Sequence, residues 1–102
     1  MFESIKKMFG GASANIKQLV DDGAIVIDVR TPVEFKSGHL PGSRNIPLDT
    51  LPSKIGELKK LNKTIVTVCR SGSRSGMAKN MLAAAGLEVC NGGPWTNFKN
   101  AG

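Results

Sequence analysis

The stretch Val68–Gly76 constrains the fold of this chain more than any other part of it. The β-branched run Thr64–Val68 ends in Cys69, and a short loop of glycine, serine and arginine leads into the segment 77–85. β-Branched residues favour strands, and the alanine, leucine, lysine and methionine after the loop favour a helix. The sequence therefore predicts a strand, a loop and a helix in direct succession, with a cysteine at the end of the strand.

The predicted position of Cys69 is favourable for an anion. Ligands of open α/β sheets bind at the carboxyl ends of strands, and the free N–H groups of the following helix attract negative charge. A thiolate is such an anion, and we expect the helix N-terminus together with Arg70 and Arg74 to lower the pKa of Cys69. The sequence therefore predicts an anion-binding nucleophile loop. It contains Cys69 and the residues Arg70, Ser71, Gly72, Ser73, Arg74 and Ser75.

Four predicted strands alternate with predicted helices along the chain. The strands cover 24–29, 43–48, 64–68 and 87–90, and the helices cover 13–23, a short segment from 31, 51–61 and 77–85. Residues 91–94 are predicted to be a turn before a final helical turn. This alternation indicates an α/β fold with a parallel sheet and helices on both faces.

Asp28 and Arg30 lie at the carboxyl end of the first predicted strand, near the predicted site. We expect Arg30 to pair with Asp28 or Glu34 and so to shape the scaffold, with a substrate contact as the alternative. Thr31, Pro32 and Glu34 have the residue types of an N-cap, N1 and N3, which predicts a capping box.

The chain has 102 residues, which is enough for one hydrophobic core. We therefore expect a single domain over 12–102. Residues 1–11 are predicted to form an N-terminal extension, a short amphipathic helix that packs on the core, with a membrane or partner anchor as the alternative.

Composition limits the classes of partner. The formal net charge is +6, but the lysines are scattered and there is one tryptophan and no tyrosine, so nucleic-acid binding is not predicted. No stretch approaches the roughly 20 apolar residues that span a bilayer. Two cysteines in different contexts favour reduced thiols in the cytoplasm. We expect a cytoplasmic monomer that acts on small anions, with no metal or cofactor.

Three separated motifs resemble the rhodanese family. The segment 27–47 (IDVRTPVEFKSGHLPGSRNIP) resembles the first signature of that family, and Cys69–Ser75 (CRSGSRS) resembles its active-site loop. Asn91–Gly93 followed by Trp95 is similar to its closing motif. The match runs from about residue 12 to 98, and the length is that of a single-domain member of this family of thiosulfate sulfurtransferases.

This resemblance implies a five-stranded, mainly parallel sheet and a sulfurtransferase activity. By the same resemblance, Cys69 is the nucleophile that takes a sulfane sulfur from thiosulfate, holds it as a persulfide and passes it to cyanide or a thiol. Such chemistry needs an ionised nucleophile and no obligatory general base. The N–H groups of residues 70–75 would hold the terminal sulfur, and Arg70 and Arg74 would attract the doubly negative donor.

Loop length separates this interpretation from its nearest alternative. Cysteine-dependent phosphatases place an arginine six positions after the cysteine, whereas Arg74 lies five positions after Cys69 and Ser75 occupies the sixth. A phosphatase or arsenate reductase of related fold is therefore disfavoured. A module that relays persulfide from a partner desulfurase stays open, and a non-enzymatic module would more often lack the cysteine.

Three further residues are assigned to packing or structure. Cys90 is predicted to pack in the core, with a resolving thiol as the alternative. His39 is predicted to make structural hydrogen bonds, and Trp95 is predicted to be a hydrophobic plug under the final turn.

Overall fold

A computed structural model describes residues 18–98 of the chain. These residues form one parallel sheet of four strands. The strands are β1 (Ile25–Asp28), β2 (Arg44–Asn45), β3 (Ile65–Cys69) and β4 (Val89–Pro94). Their order is β2-β1-β3-β4, so the chain crosses from β2 over β1 to reach β3. The four strands correspond to those predicted from the residues, and residues 18–98 contain no fifth strand.

Helices connect the strands, as expected for a parallel sheet. Three are α-helical: α1 (Pro32–Ser37), α2 (Ile55–Leu61) and α3 (Ser73–Ala84). Leu48–Lys54 and Trp95–Phe98 form 3-10 helices, and residues 18–21 are also helical. The α/β fold with helices and a parallel sheet is thus confirmed. The predicted helix start at Ser13 and the predicted extension 1–11 lie outside the described residues.

The predicted capping box at the start of α1 is confirmed. The Glu34 backbone N–H donates to Thr31 Oγ1, while the Thr31 N–H donates to Glu34 Oε1. Pro32 occupies the first helical position, where its missing N–H removes no helical hydrogen bond. Local sequence therefore fixes where α1 begins, immediately after β1.

The sheet separates two hydrophobic clusters. Side chains that alternate along β3 belong to opposite faces, so Ile65 and Cys69 pack with α2 and α3 while Val66 and Val68 pack with the cluster on the other face. The first cluster also contains Ile27, Leu51, Leu58, Ala78 and Leu82. The second contains Leu19, Leu40 and Cys90, with Trp95 packed against it. Every residue of β3 is buried, which makes this strand the centre of the core.

Two differences from the prediction change the surroundings of Cys69. Helix α3 begins at Ser73 instead of near Met77, so the second half of the predicted loop is the first turn of the helix. The predicted turn 91–94 is wrong, because β4 continues through Pro94, which pairs with Cys69. A β-bulge between Thr67 and Val68 accommodates this continuation, and Gly92 is the extra residue of β4.

Candidate active site

Cys69 ends β3 at the carboxyl edge of the sheet, where the sequence predicts it. Its side chain is fully buried, and α3 begins four residues later. Gly72 lies between them with φ of 100°, a left-handed conformation that glycine adopts without a steric penalty. This conformation turns the short connection back toward the sulfur of Cys69.

Backbone groups of the loop converge on that sulfur. The Gly72 N–H donates to Cys69 Sγ at 3.0 Å, and the Ser75 N–H donates to it at 3.3 Å. The second donor is one of the N–H groups in the first helical turn that have no partner within the helix. Two of the N–H groups of residues 70–75 therefore point at the Cys69 sulfur.

The Ser75 hydroxyl joins the sulfur to β4. The Cys69 thiol donates to Ser75 Oγ at 3.3 Å, and this hydroxyl donates to Asn91 Oδ1 at 2.6 Å. The Gly93 N–H also donates to Asn91 Oδ1 at 2.9 Å, and Asn91 Nδ2 donates to the Gly72 carbonyl at 3.2 Å. The Asn91 amide thus holds Gly72 and Ser75 of the loop against the bulged strand.

Hydrogen bonds decide the pKa of Cys69. Burial raises the pKa of this thiol, but hydrogen bonds from the Ser75 hydroxyl and from the N–H groups of Ser75, Gly72 and Ser71 lower it more. The net result is a pKa below the usual 9.0. A larger fraction of Cys69 is therefore the nucleophilic thiolate at neutral pH than for an ordinary cysteine.

Arg74 is placed differently from the prediction. Its Nη1 and Nη2 donate to Glu34 Oε1 and Oε2 at 2.7 and 3.0 Å, so its guanidinium faces α1. The Arg74 hydrogen bonds, followed by that of the Thr31 N–H, lower the pKa of Glu34 from 4.5 to about 2. The pKa of Arg74 is raised in turn, first by its hydrogen bond to Glu34. The bidentate pair therefore links the first turn of α3 to the first turn of α1.

Arg70 is exposed, in contrast to Arg74. Its guanidinium has no hydrogen-bond or ion-pair partner among residues 18–98. Ser71 and Ser73 are exposed as well. With respect to residues 18–98, the arginine of the loop without an acidic partner is thus Arg70, next to Cys69 in the sequence.

Asp28 and Arg30 form the buried ion pair that the sequence predicts as one of two options. Arg30 Nη2 lies 2.7 Å from Asp28 Oδ2, and Arg30 Nε donates to the same carboxylate. The guanidinium also donates to the Gly38 carbonyl and lies 4.8 Å from the centroid of the Trp95 ring. The alternative Arg30–Glu34 pair is wrong, because Glu34 binds Arg74. Asp28 pairs in register with Val68, so its side chain is on the face opposite to Cys69.

Two residues of the network were not predicted as site residues. The sequence predicts Asn91 as part of a turn and Thr67 only as part of a strand. The Thr67 hydroxyl donates to the Ser75 carbonyl at 2.8 Å and so ties the first turn of α3 to the central strand β3. The two glycines after Asn91 are the only feature of the sequence that could have marked it as a site residue. Its contact with Ser75 depends on the bulge in β4, which the sequence does not predict.

Cys90 and His39 lie away from the Cys69 sulfur. Cys90 belongs to the cluster on the opposite face of the sheet, where burial raises the pKa of its thiol to about 11. His39 Nδ1 is 2.7 Å from the Phe35 carbonyl, and its ring stacks on that of Phe35. Both residues therefore have the structural contacts expected of them.

The described part of the chain holds no group of three histidine, cysteine or acidic side chains that could bind a metal ion. No helix within residues 18–98 has the length and apolar character needed to cross a membrane.

Comparisons with known proteins show the family of this chain. Residues 13–100 match the Rhodanese-like domain family. The thiosulfate sulfurtransferase PspE of Escherichia coli is 34% identical over 77 residues, covering 74% of this chain and 66% of PspE. The uncharacterized protein YqhL of Bacillus subtilis is 41% identical over 69 residues, covering 67% of this chain and 54% of YqhL. The chain therefore spans about half to two thirds of the length of these relatives.

A solved structure shares the fold. The structure described as a rhodanese with anions from E. coli superposes with a TM-score of 0.68 at 31% identity, covering 74% of this chain and 91% of that one. The family match over 13–100 agrees with this likeness. The buried cysteine at the carboxyl end of the central strand is consistent with both. This chain belongs to the Rhodanese-like domain family.

Proposed function

We propose that this protein transfers a sulfane sulfur through a persulfide on Cys69. The Cys69 thiolate attacks the outer sulfur of the donor, a new bond forms between Sγ and that sulfur, and the S–S bond of the donor breaks. The electron pair of the broken bond leaves with sulfite when the donor is thiosulfate, and with a thiolate when the donor is a thiol persulfide. A thiol or cyanide then attacks the outer sulfur of the persulfide and regenerates the Cys69 thiolate.

The convergence of two N–H groups on one sulfur carries this proposal. Gly72 and Ser75 donate to Cys69 Sγ at 3.0 and 3.3 Å, and fixed N–H dipoles stabilise a thiolate without any rearrangement. The remaining N–H groups of the loop and the first turn of α3 would serve the outer sulfur of the persulfide. The name of PspE, a thiosulfate sulfurtransferase, supports the same chemistry.

The length of the loop favours sulfur over phosphate as the group transferred. Arg74 is five residues after Cys69 and its guanidinium is occupied by Glu34 in a bidentate pair. A tetrahedral phosphate would require a free, bidentate arginine at the rim of the loop. We therefore propose a small anionic sulfur donor and a thiol or cyanide acceptor for a monomeric protein. The cytoplasmic location remains a prediction from the cysteine content.

Intact-mass spectrometry tests the proposal. After incubation with thiosulfate, the protein should gain the mass of one sulfur, and added cyanide should remove it as thiocyanate. Cys69→Ser should gain no sulfur, whereas the matched variant Cys90→Ser should behave like the wild type. A wild-type protein that takes up no sulfur from thiosulfate or from a thiol persulfide, but hydrolyses an aryl phosphate, would overturn it.

A further inference from the structure

The ion pair between Glu34 and Arg74 changes the charge of the site. Both side chains are partly exposed, at 29% and 32%, and they meet in a two-pronged arrangement with N–O distances of 2.7 and 3.0 Å. This geometry is the strong form of an arginine–carboxylate contact. At neutral pH Glu34 is ionised, since its pKa is lowered to about 2, chiefly by Arg74. The positive charge of Arg74 is thus cancelled at contact distance.

A second arginine near the carboxyl edge of the sheet is neutralised in the same way. Arg30 is bound to the buried carboxylate of Asp28. Among the three arginines 30, 70 and 74, only Arg70 has no acidic partner within residues 18–98. Within the described residues, the loop around Cys69 therefore keeps one uncompensated arginine, Arg70.

One free cation is a poor match for a dianion. Thiosulfate carries two negative charges, so its attraction to the site depends on how many cations remain uncompensated. A thiol persulfide carries at most one charge on its reacting end and gains less from a second cation. We infer that Glu34 is a specificity-determining residue that cancels the charge of Arg74 and thereby favours thiol persulfides over thiosulfate as the sulfur donor. This inference rests on the proposed persulfide chemistry of Cys69.

The favoured reaction is an exchange between two thiols. The Cys69 thiolate attacks the outer sulfur of R–S–SH, a bond forms between Cys69 Sγ and this sulfur, and the S–S bond of the donor breaks with its electron pair leaving on the inner sulfur. The products are the Cys69 persulfide and the thiolate RS⁻, so no external oxidant or reductant is needed. The donor class is therefore the persulfide of a small thiol or of a cysteine on a partner protein.

Glu34→Gln is the variant that isolates the charge. Glutamine keeps the acceptor oxygen needed for the capping box, since both Glu and Gln serve at N3. The variant therefore leaves α1 capped while Arg74 loses its compensating charge. Glu57→Gln is the matched control, because Glu57 is an exposed residue of α2 that pairs only with Lys54 among the described residues.

The experiment measures the rate constant for loading sulfur onto Cys69 from two donors, thiosulfate and the persulfide of 2-mercaptoethanol, by quenched-flow and intact mass. In Glu34→Gln, loading from thiosulfate should rise about tenfold at low ionic strength, and this gain should fall as salt is added. Loading from the persulfide should change less than about twofold. Glu57→Gln should match the wild type with both donors.

Two results would overturn the inference. The first is a wild-type rate constant with each donor in Glu34→Gln. The second is an equal gain for both donors, which would indicate a general change in the reactivity of Cys69. A wild-type protein that is loaded by neither donor would instead overturn the proposed function itself, so the two failures are distinguishable.

Discussion

The side chains of Ser75 and Asn91 share a hydrogen bond of 2.6 Å that ties the first turn of α3 to β4. The Ser75 hydroxyl has one proton, which it donates to Asn91 Oδ1 while Cys69 is a thiol. When Cys69 ionises, the same hydroxyl is able to rotate and donate to the sulfur instead. Asn91 Oδ1 keeps the Gly93 N–H in that case, so this acceptor still has a donor. The pair therefore lets the hydroxyl serve either protonation state of the nucleophile.

Replacing Asn91 with Asp should make Cys69 less reactive. A carboxylate would hold the Ser75 proton more strongly and would place a negative charge near the sulfur, and both effects raise the pKa of Cys69. We expect the rate of alkylation by iodoacetamide at pH 7 to fall about threefold to tenfold, with the inflection of the pH profile moved to higher pH.

Asn80→Asp is the control for this change. Asn80 is an exposed residue of α3, so the substitution adds the same charge without touching Ser75. Its pH profile should match that of the wild type. If Asn91→Asp also retains the wild-type profile, the network does not influence the ionisation of Cys69.

The two cysteines should differ in reactivity. Cys69 has a lowered pKa and three hydrogen-bond partners at its sulfur, whereas burial raises the pKa of Cys90 to about 11. At pH 7 iodoacetamide should modify Cys69 alone in the native protein, as peptide mapping would reveal. Both thiols should react after unfolding in urea. Modification of Cys90 at a comparable rate in the native state would contradict the assigned burial.

The stability of the protein should depend on the ionisation of Glu34. Its pKa is about 2 in the folded chain, where Arg74 and the Thr31 N–H stabilise the carboxylate, and about 4.5 in the unfolded chain. The unfolded state therefore binds the proton more readily, and the stabilisation present above pH 4.5 is lost as the pH falls toward 2. Urea denaturation between pH 7 and pH 2 should show this loss.

Glu34→Gln provides the comparison for that pH series. This variant lacks the titrating group, so its free energy of unfolding should fall less steeply over the same interval. Glu57→Gln should retain the full slope, since no comparable pair is removed. Parallel curves for the wild type and Glu34→Gln would show that the Arg74 pair does not contribute to acid stability.

The sequence predicts the parts of this fold that depend on local chemistry. Thr31 and Glu34 identify the start of α1, and β-branched residues before Cys69 identify the central strand. The position of Cys69 at the carboxyl edge follows from these two facts and from the parallel topology. Asn62 ends α2 in a left-handed conformation, which agrees with the predicted end of that helix.

Contacts between distant segments could not be predicted from single residues. Glu34 was close in sequence to Arg30, but its partner is Arg74, 40 residues further along the chain. Once Asp28 takes Arg30 at the carboxyl end of β1, Glu34 is free to reach α3 across the edge of the sheet. The choice of ion-pair partner thus depends on how α1 and α3 pack at the edge of the sheet. The spacing of charged residues along the chain does not predict this packing.

Gly92 should be essential for the bulge that brings Asn91 to the site. A Cβ atom at Gly92 would lie 2.8 Å from Val66 Cγ1 and 3.0 Å from both the Thr67 carbonyl oxygen and Val68 Cγ1. Because these atoms belong to the buried central strand, they cannot move away without disturbing the core. We expect Gly92→Ala to lower the free energy of unfolding by about 1–3 kcal/mol and to slow sulfur loading of Cys69 as well.

Gly56→Ala is the matched control, since a Cβ there meets no atom within 4 Å and Gly56 lies in α2. It should raise the free energy of unfolding by about 0.5–1 kcal/mol, because alanine has the better helix propensity. Urea denaturation at pH 7 measures both variants. A Gly92→Ala protein as stable as the wild type would mean that β4 shifts away from β3 at no cost in free energy. In that case the close contact between the two strands does not position Asn91.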